Sequence, residues 1–562
     1  MTPHPPGPQW HLYVPKLITV LRLGYGLGDL RQDALAGLTV AIVALPLAMA
    51  LAIASGATPD KGLVTAVVAG FIVSALGGSR FQIGGPTGAF VVVVFNVIAR
   101  QGYDGLVLAT LLAGVILMAA GLARLGTWIK YIPEPVVTGF TSGIAVIIFT
   151  SQIRDLLGLR LDVIPPDFVD KLAAFWAARD SLNPGATCLA LGALAAILVL
   201  RRPAPRVPGF LVAIVGASLV VAVLGLQVDT IGSRFGGIPS HLPMPSWPVF
   251  DLAKARAVLP DAFTIAFLAG VESLLSAMVA DGMTGRQHRS NCELVAQGVA
   301  NIGSALFGGL PATGAIARTV TSIRSGARSP VAGMLHAVFL LLAMAVAAPL
   351  AVYVPMASLA AVLVIVAWNM GEVDRIRHLM SAPAGERLVL IVTFGLTVLV
   401  DLTVAIEVGV VLAAMLFMHR MAELVAIQHG APLLEEDADD FSRPPDEAYV
   451  QRRDLPPGVE VCKLRGPLFF GASRRLAEVM GEIGKPPRAL ILRMAEVPLI
   501  DATGATALED LARRCAARGT RLILAGIQAQ PQEILGLMDT AGRSGLVFAP
   551  DYAAALALAV AD

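Results

Sequence analysis

The sequence predicts an α-helical polytopic membrane protein: fourteen apolar segments arranged as two sets of seven, followed by a small α/β domain. Three observations predict it. Apolar residues make up 56% of the 562 residues and charged residues 15%, against ~25% charged in an ordinary globular chain. From Ala34 to about residue 425 the apolar residues run in stretches, many of them near the ~20 residues that cross ~30 Å of hydrocarbon. Beyond that, an acidic, Pro-rich stretch gives way to short strands alternating with amphipathic helices. This composition excludes a soluble enzyme, which needs polar surface to cover its core, and a disordered chain, which is poor in apolar residues. The net charge of +1 gives no bulk attraction for nucleic acid, so no such partner is expected.

Residues 1–33 read as a cytoplasmic N-terminal segment; they lack the apolar stretch and small-residue cleavage site of a signal peptide. Residues 34–425 form the membrane part. Its segments begin near Ala34, Gly62, Thr87, Gly105, Pro135, Gly185 and Pro208, then near Pro260, Glu293, Thr313, Pro330, Met356, Arg387 and Thr403. Loops on the N-terminal side carry more Lys and Arg (Arg80, Arg124, Arg286, Arg289 and Arg375 among them) than the opposite loops, where Asp offsets the cations. That bias puts both termini in the cytoplasm of a cell inner membrane. Residues 426–446 are a linker. Residues 447–562 are the α/β domain, with strands at 459–464, 489–493 and 521–525 and helices at 503–518 and 532–541. Cys188, Cys292, Cys462 and Cys515 have no metal-ligand spacing, so no metal is expected. No phosphate-binding Gly-rich loop is present; neither ATP-driven transport nor any cofactor is expected.

Two segments are too short to span, 87–99 and 313–325, and each follows a Gly/Pro-rich break. The first break reads Gly84-Gly85-Pro86-Thr87-Gly88-Ala89 and the second Gly309-Leu310-Pro311-Ala312-Thr313-Gly314-Ala315-Ile316-Ala317-Arg318. Non-helical backbone at membrane depth is tolerated only where protein or a water-filled cavity satisfies it. A helix that begins there aims its unpaired N–H groups, the positive end of its dipole, at whatever lies beyond. The two are segments three and ten, the same place in each set of seven, and corresponding broken helices point to a transporter's binding site. The bland alternative is a pair of packing turns. Ionisable residues sharpen the expectation. Glu272 lies inside apolar sequence, where a charge is costly and functional by default. It is the candidate proton carrier, or, with Ser276 one turn on, half of a cation site. Arg318 either holds an anion, pairs with Glu272 or anchors at the membrane rim. His336 reads as a satisfied structural histidine. Thr87, Ser273, Thr313 and Thr319 each have the ordinary alternative of bonding a helix carbonyl.

The stretches Gly37-Leu38-Thr39-Val40 and Leu45-Pro46-Leu47-Ala48-Met49-Ala50, with Gly85-Pro86-Thr87 and Ala317-Arg318-Thr319, resemble the sulfate permease (SulP) family of anion transporters, and the C-terminal region resembles its STAS domain. Within that family, Gly270-Val271-Glu272-Ser273-Leu274-Leu275 and Val366-Ala367-Trp368-Asn369-Met370 look most like the bacterial C4-dicarboxylate branch. The resemblance implies a seven-plus-seven inverted repeat with core and gate domains, elevator-type alternating access, a cytoplasmic STAS domain and a homodimer. The implied substrate site takes in Pro46, Leu47, Met49, Leu51, Thr87, Gly88, Ala89, Glu272, Ser273, Thr313, Gly314, Ala315, Ile316, Ala317 and Arg318. Leu47, Leu51 and Ala317 replace a common Gln, aromatic and Ser of the family, which puts sulfate selectivity in doubt. In Asp501-Ala502-Thr503-Gly504, Thr503 falls at a phosphoacceptor position, although a plain helix cap by Asp501 or Thr503 fits the same residues. The expected function is proton-coupled uptake of a C4-dicarboxylate such as succinate, fumarate or aspartate. The alternatives are sulfate or bicarbonate transport with sodium, and a sensor whose STAS domain signals to a cytoplasmic protein partner.

Overall fold

The computed structural model describes residues 12–127, 131–161, 164–165, 167–201, 208–248, 251–400, 402–423, 426–428, 455–469, 486–538 and 546–561. The chain forms two compact units, 1–410 and 411–562.

The first unit is helical. After α1 (Lys16–Leu23) come α2 (Leu27–Ala54), α3 (Pro59–Leu76), the two-residue strand β1 (Gly84–Gly85) and α4 (Phe90–Leu122). Then follow α5 (Glu134–Leu157), the short α6 (Phe168–Ala177), α7 (Pro184–Arg201), α8 (Gly209–Leu224) and α9 (Ile231–Phe235). The second set is α10 (Leu252–Thr284), α11 (Ser290–Leu306), strand β2 (Thr313–Gly314), α12 (Ile316–Arg324), α13 (Val331–Ala351), α14 (Met356–Met370), α15 (Val373–Leu379), α16 (Ala384–Leu399) and α17 (Leu402–Glu423), which runs on into the second unit. Among the described residues, eight helices are long and apolar enough to cross a membrane. The third and fourth expected segments are one continuous element, α4. It is broken at Gly102, whose φ of 71° and ψ of 177° lie outside helical space, a conformation that glycine adopts without a Cβ penalty.

Packing sorts the helices into two groups. α2, α3, α4 and α10 to α13 pack on one another, and α5, α7, α8, α14 and α16 form the other group. α2 bridges them, touching α8 and α14. These are segments one to four with eight to eleven, and five to seven with twelve and thirteen, so the chain crosses between groups at corresponding points of its two sets. Without a hydrophobic drive between helices in lipid, close packing must hold the group together, and small residues permit it. On α4 and α11, Gly114 and Gly298 face each other so closely that a Cβ on either would press on the other's carbonyl oxygen at 2.6–2.7 Å.

The second unit contains a five-stranded sheet, ordered β3 (Ala426–Gln428), β4 (Val459–Arg465), β5 (Ala489–Glu496), β6 (Arg521–Ala525) and β7 (Val547–Ala549). β4 to β7 run parallel and β3 pairs antiparallel to β4. Helices α18 (Ala502–Ala517), α19 (Ala529–Leu537) and α20 (Tyr552–Val560) connect or follow the strands. Ala505, Leu508, Leu511 and Cys515 line one face of α18 and are buried against the sheet. Residues 426–428, expected within a linker, supply its antiparallel edge strand instead. Three residues carry too little pattern to announce a strand.

Candidate functional site

The two breaks meet. β1 and β2 pair antiparallel, Gly84 opposite Gly314 and Gly85 opposite Thr313, and the Ala315 N–H donates to the Ile83 carbonyl at 2.8 Å. α4 and α12 therefore start side by side. Neither helix has a side-chain cap; on α4 the Phe90 and Val91 N–H groups turn back to the Thr87 and Gly88 carbonyls at 3.3 and 3.1 Å, so the open donors of that helix lie just before Phe90, at the break itself.

Irregular backbone this deep must be satisfied by protein, and two sets of side chains do so. Before β1, Glu293 Oε2 accepts the N–H groups of Gly78 at 2.8 Å and Ser79 at 3.1 Å. Gln82 Nε2 donates to Ser273 Oγ at 2.6 Å and to its carbonyl at 3.1 Å. Before β2, Thr65 Oγ1 accepts the Leu310 N–H at 2.6 Å, and Asn301 takes both the N–H and the carbonyl of Ala312 at 2.9 Å. These anchors are absent from the residues the sequence pattern singles out. A signal exists: Glu293, Gln297 and Asn301 recur every four residues, a polar stripe on one face of α11.

The expected site residues fall around this crossing. Thr87 Oγ1 donates to Glu272 Oε2 at 2.8 Å, joining the tip of α4 to a half-buried carboxyl on α10. Thr313 Oγ1 donates to the Ala269 carbonyl at 2.9 Å. Ser273 is fully buried and engaged with Gln82. Ser276 donates to Thr319 Oγ1 at 3.1 Å, and Thr319 Oγ1 also accepts the Ile83 N–H. The Gly88 backbone lies against side chains of α14 and α5, a Cβ there falling 2.5 Å from Met370 Sδ and 3.3 Å from Ile148 Cδ1. Gly314 lies directly against the Gln82 amide. Ala89 and Ala315 are buried, Ile316 half-buried and Ala317 exposed. Pro46, Leu47, Met49 and Leu51 are buried in α2, and the last three share an apolar cluster with Ala89 and Phe90; they offer shape and no hydrogen bonds.

Arg318 decides the electrostatics. It is 2% exposed, and Nε, Nη1 and Nη2 have no acceptor among the described residues. It does not reach the rim, which corrects one of its three expected roles; Glu272 lies within Coulombic reach of it without a direct hydrogen bond. Its guanidinium lies against Gly85, beside the strand crossing. Gly85 has φ +151° and no room for a Cβ because Nη1 stands there. His336 is also corrected: it is fully buried, but neither ring nitrogen has a hydrogen-bond partner among the described residues.

Comparison with known proteins settles the family. Residues 30–393 match the sulfate permease family and residues 453–546 the STAS domain. The chain belongs to the sulfate permease family. It is 42% identical to "Putative sulfate transporter YvdB" of Bacillus subtilis (strain 168), over 92% of this chain and 96% of that protein. It is 32% identical to "Bicarbonate transporter BicA" of Picosynechococcus, over 90% of each chain. The solved transmembrane domain of a cyanobacterial bicarbonate transporter BicA aligns at TM-score 0.61 and 32% identity, covering 69% of this chain and 98% of that one. Murine Slc26a9 in its inward-facing state shares the fold at TM-score 0.84 and 18% identity, covering 100% and 96%. This sulfate permease family member is thus an anion transporter and a multi-pass membrane protein with a STAS domain. A C4-dicarboxylate branch is not shown: these two relatives are named for sulfate and bicarbonate.

In the STAS domain, the turn before α18 shows which residue makes the cap. Asp501 Oδ1 accepts the Gly504 N–H at 2.7 Å and makes the cap, while Thr503 is exposed on the first turn.

Proposed function

We propose that the chain is a secondary active carrier of a small oxyanion, sulfate or bicarbonate, bound where the tips of α4 and α12 meet beside Arg318. One observation carries the reading: a buried guanidinium with three unpartnered nitrogens, next to two uncapped helix N-termini. Desolvating a charge costs several kcal/mol unless a counter-charge compensates it, and helix N-termini favour the same sign of ligand. The names of the relatives favour sulfate or bicarbonate over a C4-dicarboxylate. Uptake into proteoliposomes of sulfate, bicarbonate, oxalate, fumarate, succinate and aspartate, across a pH series and with or without sodium, tests this. Saturable uptake of sulfate or bicarbonate, lost in Arg318→Gln, is expected. Uptake confined to dicarboxylates overturns the cargo, and undiminished uptake in Arg318→Gln overturns the site.

Glu272 supports proton coupling as the drive. It is hydrogen-bonded to Thr87 at the tip of α4, so a proton on its carboxyl removes a negative charge beside the anion and lets both cross together. Sodium held by Glu272 and Ser276 is the weaker reading, because Ser276 is engaged with Thr319. The group containing α4 and α12 moves against the other as an elevator, in a homodimer in the inner membrane with both termini cytoplasmic. The exposed Thr503 suits a phosphoacceptor through which the STAS domain adjusts transport or meets a cytoplasmic partner.

A further inference from the structure

A cavity of about 390 Å³ lies where α2 and α5 end, away from the strand crossing. Its apolar wall includes Val91, Val92 and Ile147; its polar wall includes Ser151, Arg154, Asp155, Lys171 and Arg234. Val91 and Val92 follow the tip of α4 in sequence, and Ile147 precedes the Ile148 that covers Gly88. The apolar wall of this cavity is thus built on the first turn of α4 and on the stretch of α5 that covers Gly88.

Among the described lining residues the one carboxylate, Asp155, is already taken: Arg234 Nη1 donates to its Oδ1 at 2.9 Å. Arg154 donates to the Leu161 carbonyl at 3.0 Å. Lys171 is 5% exposed, and its ammonium has no ion pair or hydrogen bond with any described residue. Its nearest compensation is the Phe95 ring, 5.1 Å from Nζ to the centroid. A ring face offsets part of a cation's desolvation and leaves its donors open. Burial works against this ammonium's charge, and Asp167 at the start of α6 works for it. A buried Lys lining a cavity whose described carboxylate is already taken is placed to receive an anion.

We propose that this cavity is a second anion site, distinct from the crossing, in which Lys171 holds a small oxyanion before the apolar wall opens toward the tip of α4. It rests on the anion-carrier reading for its purpose and on its own residues for its chemistry. With both termini cytoplasmic, it is the outer antechamber of the carrier.

The test avoids transport. Ser151→Cys, in a Cys188→Ser background that removes the exposed thiol, puts a reporter in the cavity wall of the full chain. Two methanethiosulfonate reagents of similar size, one bearing a sulfonate and one a trimethylammonium, are applied, and their rates are normalised to those with a free thiol. The sulfonate is expected to react at least about tenfold faster, as in a cleft that concentrates one sign of charge. Sulfate or bicarbonate should slow it at matched ionic strength. Lys171→Gln should bring the two rates together and Lys171→Arg should not. Equal rates in the Ser151→Cys protein, or a preference that neither anion displaces, overturn the proposal even if Lys171→Gln does not fold. A preference that survives in folded Lys171→Gln overturns the role of Lys171. Charge preference without uptake of any tested anion sinks the carrier reading and leaves this site standing; uptake without charge preference does the reverse.

Discussion

Arg318→Met should have opposite effects on the empty protein and on anion binding. In the empty protein, the guanidinium is buried with three unpartnered nitrogens. Desolvating the guanidinium costs several kcal/mol, more than the Coulombic pull of Glu272 returns, and Met keeps the long stem that packs within α12's surroundings. For the anion, losing a unit charge at ~4 Å in an effective dielectric of ~20 removes about 4 kcal/mol, roughly a thousandfold in affinity. At an anion concentration of about 100 times the dissociation constant, the unsubstituted protein gains about 2.7 kcal/mol, and the variant less than about 0.1 kcal/mol. Thermal denaturation in detergent reads both, comparing midpoints at one scan rate because unfolding of such a protein is a rate process. The apo midpoint should rise, and the increments from sulfate and bicarbonate should vanish. A lower apo midpoint together with a retained increment would refute the assignment of Arg318 as the anion's counter-charge.

Glu272→Gln keeps the Thr87 contact possible and fixes the group neutral; uptake driven by a pH gradient should disappear while anion exchange persists, as measured by counterflow in proteoliposomes. Gly85→Ala should cost at least about 2 kcal/mol, since φ +151° is strained for alanine and its Cβ meets Arg318 Nη1; a midpoint unchanged within error contradicts that packing. Asn301→Ala orphans both the N–H and the carbonyl of Ala312, a loss of about 1–3 kcal/mol for each group, visible as poor yield or a lowered midpoint. In the STAS domain, Lys463 and Arg465 bond Glu496 and hold its carboxyl below the usual 4.5. That contribution is present above pH 4.5 and fades as pH falls through the lowered value; Glu496→Gln should remove this acid dependence, which circular dichroism can follow. Burial raises the Cys515 thiol to about 11, so maleimide at pH 7.5 should modify Cys188 and spare Cys515.

Much of the crossing was legible because it is built from rule-breaking residues. Gly84-Gly85-Pro86 and Gly309-Leu310-Pro311 interrupt apolar runs, and an interruption inside a membrane needs a reason. Thr87, Glu272 and Arg318 stood out for the same cause, as polar side chains in apolar surroundings. The anchors were less visible. Gln82 sits in a loop beside the break, and its role depends on Ser273, 191 residues away. Glu293 and Asn301 occupy an amphipathic helix, where polar residues look ordinary until the helix is known to be surrounded. Strand β3 and the short helix α6, which carries Lys171, are too brief or too mixed to declare themselves by period.

Sequence alone determined the two-part organisation, the run of apolar segments, the two interruptions and the sign of charge they favour. These follow from local chemistry: hydrophobic run length, backbone breakers and the dipole of a helix start. Tertiary structure decided which partners those residues take. Glu272 bonds Thr87 and leaves the Arg318 nitrogens without an acceptor among the described residues, Gly85 makes room for the guanidinium, and Met370 and Ile148 arrive from distant helices to cover Gly88. The physical reason is that a buried polar group is fixed by the few atoms within hydrogen-bond reach, and in a helical bundle those atoms come from segments that the order of residues does not place side by side.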